Sequence, residues 1–254
     1  MFDDILPKPD EGMWIEMESL KTRFEKFISR SDRFESIDEL LKGNDPHGKK
    51  RADYLLSGRE VIIEQKILQA DPLDKPQKFV NKLMEERHVI AYGTISTGSV
   101  FAKMQDSHRL QRNMLLYITK IIDDDVAEAD KQTRDTRDIF SIPNSVGLLV
   151  FLNEKATILD PELIGYCLSQ IFAKKSPDGS PRYAHNSGVI LITEAHYIRM
   201  PQGNAPIFLC IRNPNGREAD KVFSVSEKLM AGWAEFNGSS IIRPHPSVLK
   251  KNPY

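Results

Sequence analysis

The chain has 254 residues, 28% of them charged and 40% hydrophobic, with a formal net charge of −1. Such a composition excludes long disordered stretches and a uniformly basic nucleic-acid coat, while leaving room for a sizeable core and a local basic groove. Two cysteines, Cys167 and Cys210, exclude a disulfide framework and a four-thiolate zinc site, and no apolar run reaches the roughly 18 residues that span a bilayer. The acidic, proline-broken start does not read as a signal peptide, so the expectation is a cytoplasmic protein with reduced core thiols and no membrane partner.

In chain order, Ile15, Leu20, Phe24, Phe27 and Ile28 recur at helical spacing and predict a helix over 15–30. Ser36, with Glu39 three residues on, reads as the capping box of a second short helix that stops at Gly43. After a polar loop over 44–51, the apolar runs 52–56 and 60–68 meet around Ser57-Gly58-Arg59, the clearest hairpin signal in the chain. A helix is expected over 77–90. A Gly/Ser/Thr patch at 93–99 then precedes a long helical region from about 103 to 138, with Leu110, Met114, Tyr117 and Ile121 as its apolar face.

The second half has a different rhythm. Residues 146–154 read as a buried strand, Pro161 opens a helix, 176–182 form a loop, 187–194 and 205–213 are strands, and 225–236 is a helix before an irregular tail from Arg243. Near-continuous aliphatic strands alternating with helices predict an α/β fold, a mixed central sheet flanked by helices on both faces. One elaborated domain over 1–254 is expected, since no linker divides the chain.

The informative feature is that the strand Val61-Ile62-Ile63 ends in Glu64-Gln65-Lys66. Residues two apart share a face, so Glu64 and Lys66 point one way and Gln65 the other. If Gly58-Arg59 forms a two-residue type II′ turn, counting outward sets Asp53 opposite Glu64; a three-residue loop would shift that register by one. Two carboxylates so close repel unless one is protonated or a cation lies between them. An all-oxygen pair beside a lysine suits Mg²⁺ or Mn²⁺, with Lys66 assisting an attacking water. The plain alternative is a solvated strand end carrying a Glu–Lys pair beside an unrelated aspartate.

Asp53, ten intervening residues, then Glu64-Gln65-Lys66 at the end of an apolar strand resembles the PD-(D/E)XK nuclease superfamily, whose restriction-endonuclease-like core is a helix, a mixed sheet with a β-hairpin, a helix and a further strand. The resemblance covers roughly 15–155, leaving 156–254 as a C-terminal α/β elaboration. It implies a Mg²⁺- or Mn²⁺-dependent phosphodiester hydrolase acting on nucleic acid, DNA in the first instance, as a restriction or defence endonuclease, and it leaves room for a homodimer. Asp53 and Glu64 would be the metal carboxylates, the backbone carbonyl of Gln65 a further metal ligand, and Lys66 the catalytic lysine. Ala52 stands where many members carry proline, and the upstream helical glutamate matches Glu25, Glu35 or Glu39. A catalytically inactive nuclease-fold module that binds DNA or a protein is the alternative.

Lys49, Lys50 and Arg51, just before Asp53, are candidate nucleic-acid contacts, with a solvated loop as the competing reading. Lys131, Arg134 and Arg137 recur at threes along the long helix, interspersed with aspartates, and read as an exposed, charge-laced face. The 93–99 patch lacks the lysine of a phosphate loop, the six histidines show no zinc spacing, and no GxSxG motif is present. Trp14 and Trp233 read as packing residues.

Overall fold

The computed structural model describes residues 18–31, 33–43, 46, 48–68, 85, 107–157, 159–200 and 203–238. The helix expected over 77–90 (Glu85 apart), the 93–99 patch, Trp14 and the tail from Arg243 lie outside them. Helix α1 spans Leu20–Ser29, its Ser19 N-cap accepting the Thr22 N–H, and buries Leu20, Phe24 and Ile28. Strand β1 (Glu35–Ser36) leads into the single turn α2 (Ile37–Leu40), where the Ser36 side chain makes no capping hydrogen bond. The expected hairpin follows as β2 (Tyr54–Leu56) and β3 (Val61–Ile67), then α3 (Ser107–Phe140), β4 (Val146–Asn153) and α4 (Pro161–Phe172). The chain closes with β5 (Gly188–Met200), β6 (Gly203–Arg212) and α5 (Val222–Phe236).

All six strands form one sheet in sequence order. The β1–β2, β2–β3 and β5–β6 pairs are antiparallel, whereas β3–β4 and β4–β5 are parallel. The protein is therefore a mixed α/β fold with a six-stranded sheet flanked by helices, as the alternation of aliphatic strands and helices predicts. Central β4 is buried along its whole length, which is why it reads as an unbroken aliphatic run. Leu148, Val150 and Leu152 pack with Leu20, Phe24 and Trp233 on one face, and Leu149 and Phe151 with Ile118, Ile122 and Leu168 on the other. Trp233 is a packing residue, its ring 6.0 Å from Phe24 and 5.5 Å from Phe27.

The structure corrects three expectations. Strand β5 runs to Met200, beyond the expected end at 194, because its polar-alternating second half pairs with β6 as a ribbon past a bulge between Thr193 and Tyr197. In α3 the buried apolar stripe is Ile118, Ile122, Val126 and Ala129. Of the expected face, Ile121 packs against this core while partly buried, Tyr117 is partly buried, and the side chains of Leu110 and Met114 lie outside the described residues. In the C-terminal half of α3, Lys131 and Arg134 are exposed as expected, but Arg137 is not: it is buried, along with Asp130, Thr133, Asp135 and Thr136. They tie the helix to irregular backbone: Thr136 accepts the Ala52 N–H, Asp135 the Lys50 N–H, and Asp130 those of His185 and Asn186. Loop amides buried under a helix need acceptors, and these side chains supply them.

Candidate active site

The β2–β3 hairpin turns over Ser57–Glu60, with Leu56 paired to Val61 and Tyr54 to Ile63. Ser57, Gly58 and Arg59 all have positive φ, 54°, 68° and 71°, so the expected type II′ turn, with positive φ at Gly58 alone, does not form. Arg59 is held in this disfavoured region by Glu35, which accepts from its Nε at 2.9 Å and Nη2 at 2.7 Å, and by the Phe140 ring at 5.2 Å. The register is the one that a two-residue loop dictates, and its continuation would set Asp53 opposite Glu64. The ladder stops at Tyr54, however, because β3 outruns β2. The Asp53 N–H donates to the Ile63 carbonyl at 3.1 Å, and the Asp53 carboxylate, in place of its main chain, accepts the Gln65 N–H at 2.7 Å.

Glu64 and Lys66 share a face of β3, with Lys66 Nζ 3.0 Å from Glu64 Oε1. The same ammonium donates to Glu128 of α3 at 3.1 Å, and Glu128 takes a second hydrogen bond from Lys50 Nζ at 2.7 Å. Only 2% of Glu64 is exposed, so the solvated strand end is not what folds here. Its Oε2 is buried and makes no hydrogen bond of good geometry among the described residues, although the Gln132 side chain lies near enough to favour the charged form. Burial, then the charge of Asp53, pushes the Glu64 carboxyl up to about 7. Burial also raises Asp53, against the Gln65 N–H and Lys66, which favour its charged form. For Lys66, burial alone would lower the ammonium, but Glu64 and Glu128 outweigh it and hold it above its ordinary value.

Asp53, Tyr54, Gln65, Lys66 and Ile67 line a cleft of about 300 Å³ together with Lys21 and Glu25 of α1, whereas buried Glu64 is not among its lining residues. Of the three candidate upstream glutamates, Glu25 is the one in this cleft. Its charge contributes to raising Asp53, whereas Glu35 is committed to Arg59 and Glu39 is exposed on α2. Among the basic residues before Asp53, Lys50 pairs with Glu128 and Arg51 with Asp38 at 2.7 Å, while Lys49 is exposed. Sequence reasoning missed Glu128 and its neighbours on α3. Asp125 is pushed up to about 6 by burial, with Lys66 opposing, and Gln132 donates to the Arg51 carbonyl at 2.9 Å. The spacing of Asp125, Glu128 and Gln132 at three and four residues puts them on one helix face, but nothing in the sequence says that this face meets Lys66.

Two hard-oxygen carboxylates whose charged forms are disfavoured together, one with a buried oxygen that makes no hydrogen bond of good geometry among the described residues, fit a divalent cation better than they fit each other. Asp53, Glu64 and the Gln65 carbonyl would hold it. No group of three or more His, Cys, Asp or Glu with metal-binding spacing occurs among the described residues. A two-carboxylate site accords with Mg²⁺, which commonly keeps several waters and takes one or two carboxylates. Comparison with protein-family models, curated proteins and solved structures yields no match. Among the described residues, no helix is long and apolar enough to cross a membrane.

Proposed function

We propose that the protein is a cytoplasmic, metal-dependent nuclease of the PD-(D/E)XK kind that hydrolyses DNA phosphodiester bonds in restriction or defence. The observation that carries this reading is the convergence of Asp53, Glu64 and Lys66 at one end of β3, with Lys66 Nζ 3.0 Å from Glu64 and Asp53 fixed by the Gln65 N–H. The order α1, β1 to β3, α3, β4, antiparallel up to β3 and parallel between β3 and β4, agrees with the core that the resemblance implies. DNA rather than RNA rests on the resemblance alone.

A Mg²⁺ or Mn²⁺ ion between Asp53 and Glu64 would lower the pKa of a bound water and offset charge on the phosphate. Lys66 carries three N–H donors, of which two go to Glu64 and Glu128. The third is left for the water or a phosphate oxygen in the cleft, at a position the two carboxylates fix. The second Asp53 oxygen, without a hydrogen bond among the described residues, would be left for the metal while the Gln65 amide orients the first.

One observation favours the alternative of a catalytically silent binding module: Lys66 already sits between two carboxylates, as in a structural ion-pair network. Cleavage separates the two readings. Purified protein is incubated with circular and linear DNA in Mg²⁺, Mn²⁺ or EDTA, beside an Asp53→Asn variant. Metal-dependent cutting that the variant lacks supports the nuclease, and cutting of the circle makes it an endonuclease. Binding without cutting in either ion points to the silent module.

A further inference from the structure

A second cleft, of about 420 Å³, opens at the C-terminal end of α3 and is lined by Arg134, Arg137, Arg217, His185, Asp138, Ser141 and Pro143. Three guanidinium groups reach it from separate backbone positions. Arg137 is 3% exposed and is fixed by donating to the carbonyls of His185 and Ser145, yet its Nε has no acceptor among the described residues. Arg134 is half-exposed and forks onto Asp135 at 3.0 Å. Arg217 is exposed, and its guanidinium has no hydrogen bond or ion pair among the described residues. His185 Nδ1 lies 3.4 Å from Arg137 Nη1. As Arg137 can only donate, Nδ1 accepts, and the imidazole proton is assigned to Nε2 as a further donor. The field in the cleft is positive: burial, then Arg137, Arg217 and Arg134, hold His185 down to about 4, against only Asp138. Burial and Arg217 likewise hold Arg137 down to about 10.

We propose that this cleft binds a phosphate group, gripped by Arg217 and Arg134 against the fixed wall of Arg137 and His185. A carboxylate is planar and saturates on one guanidinium fork, whereas a phosphate offers three or more acceptor oxygens to donors converging from several directions. The one lining carboxylate, Asp138, is exposed on the same cleft and opposes the anion. The site is separate from the Asp53–Lys66 cleft, shares no lining residue with it, and stands whether or not that cleft is catalytic. A nucleotide and a nucleic-acid backbone both offer such a phosphate, and the chemistry of the grip is the same for either.

Calorimetric titration of the full chain tests this at constant ionic strength in EDTA, with inorganic phosphate, adenosine monophosphate and a short DNA duplex as probes. Saturable binding of at least one probe is expected. Arg217→Ala should weaken it about ten-fold or more, the scale of one lost charge-assisted hydrogen bond, and Asp138→Asn should tighten it. The Arg217 side chain has no partner to lose among the described residues, its main-chain bonds to Ala184 and Ser187 survive the substitution, and an unchanged unfolding midpoint verifies that the variant is folded. Loss confined to the monophosphates assigns a nucleotide or free phosphate, and loss on the duplex assigns a backbone phosphate. Absence of saturable binding by all three probes, or binding that Arg217→Ala leaves unchanged, overturns the proposal.

Discussion

Asp53 holds Gln65 through its side chain: Oδ2 accepts the Gln65 N–H at 2.7 Å where the β2 ladder has already ended. The carboxylate thus finishes the sheet edge as well as facing the cleft. An Asp53→Ala variant removes both functions and leaves a main-chain amide without its acceptor, at a cost of about 1–3 kcal/mol. Asp53→Asn keeps an acceptor oxygen but loses the charge. We expect Asp53→Asn to unfold within about 0.5 kcal/mol of wild type in urea while losing metal-dependent cleavage, and Asp53→Ala to lose both. Equal stability of the two variants would show that the amide does not need the carboxylate.

Lys66 stands between Glu64 and Glu128. Lys66→Ala removes the cation that favours ionised Glu64, so the Glu64 carboxyl should titrate above its present value of about 7. Cleavage should fall at least about 100-fold, the lower range for a positioned acid–base group, while duplex binding persists. Single-turnover cleavage and a binding isotherm in Ca²⁺ check the two halves. Wild-type cleavage by the variant would remove Lys66 from the reaction.

The raised Glu64 carboxyl has a defined sign in the pH dependence of stability. The unfolded chain gives up this proton near 4.5 and the folded protein near 7. Between those values the folded state binds more protons, so this group's contribution to stability falls as pH rises and levels off above about 7. Glu64→Gln should therefore match wild type near pH 4.5 and exceed it at pH 8 by up to about 3 kcal/mol. Urea unfolding across that range reads the difference, and parallel curves would show that Glu64 is not strained by ionisation. A divalent cation that needs ionised Glu64 should bind more tightly as pH rises through 7.

Arg137 and Arg134 are three residues apart on α3 and should behave differently. Arg137→Ala leaves the carbonyls of His185 and Ser145 without their donor and Asp130 without a balancing charge, a loss of about 3–5 kcal/mol. Arg134→Ala breaks a half-exposed pair worth about 1 kcal/mol or less. Chemical denaturation of the two variants distinguishes them, and similar midpoints would contradict the structural role of Arg137.

The polar half of α3 shows where local reading stops. Asp130, Asp135 and Arg137 have the charge pattern of a solvated helix face, and helical periodicity assigns them outward. In the structure they lie beneath the loops at 50–53 and 183–187, which need acceptors and donors for their own main chain. Which loops cover a helix is a non-local fact, and no window of sequence contains it. The same limit hides Glu128, 62 residues from the lysine it contacts.

The sequence by itself determined the mixed α/β class, the presence of the hairpin with two possible registers, and the shared face of Glu64 and Lys66. Each follows from short-range rules: strand alternation, turn length, and the pairing that both impose. Only the tertiary structure decided that Glu25 is the glutamate of the cleft, that Lys50 and Arg51 are committed to carboxylates, and that Glu64 is buried. These depend on how α1 and α3 pack across the sheet, and burial with its attendant pKa shift is a property of the packed surroundings, not of the residue that is buried.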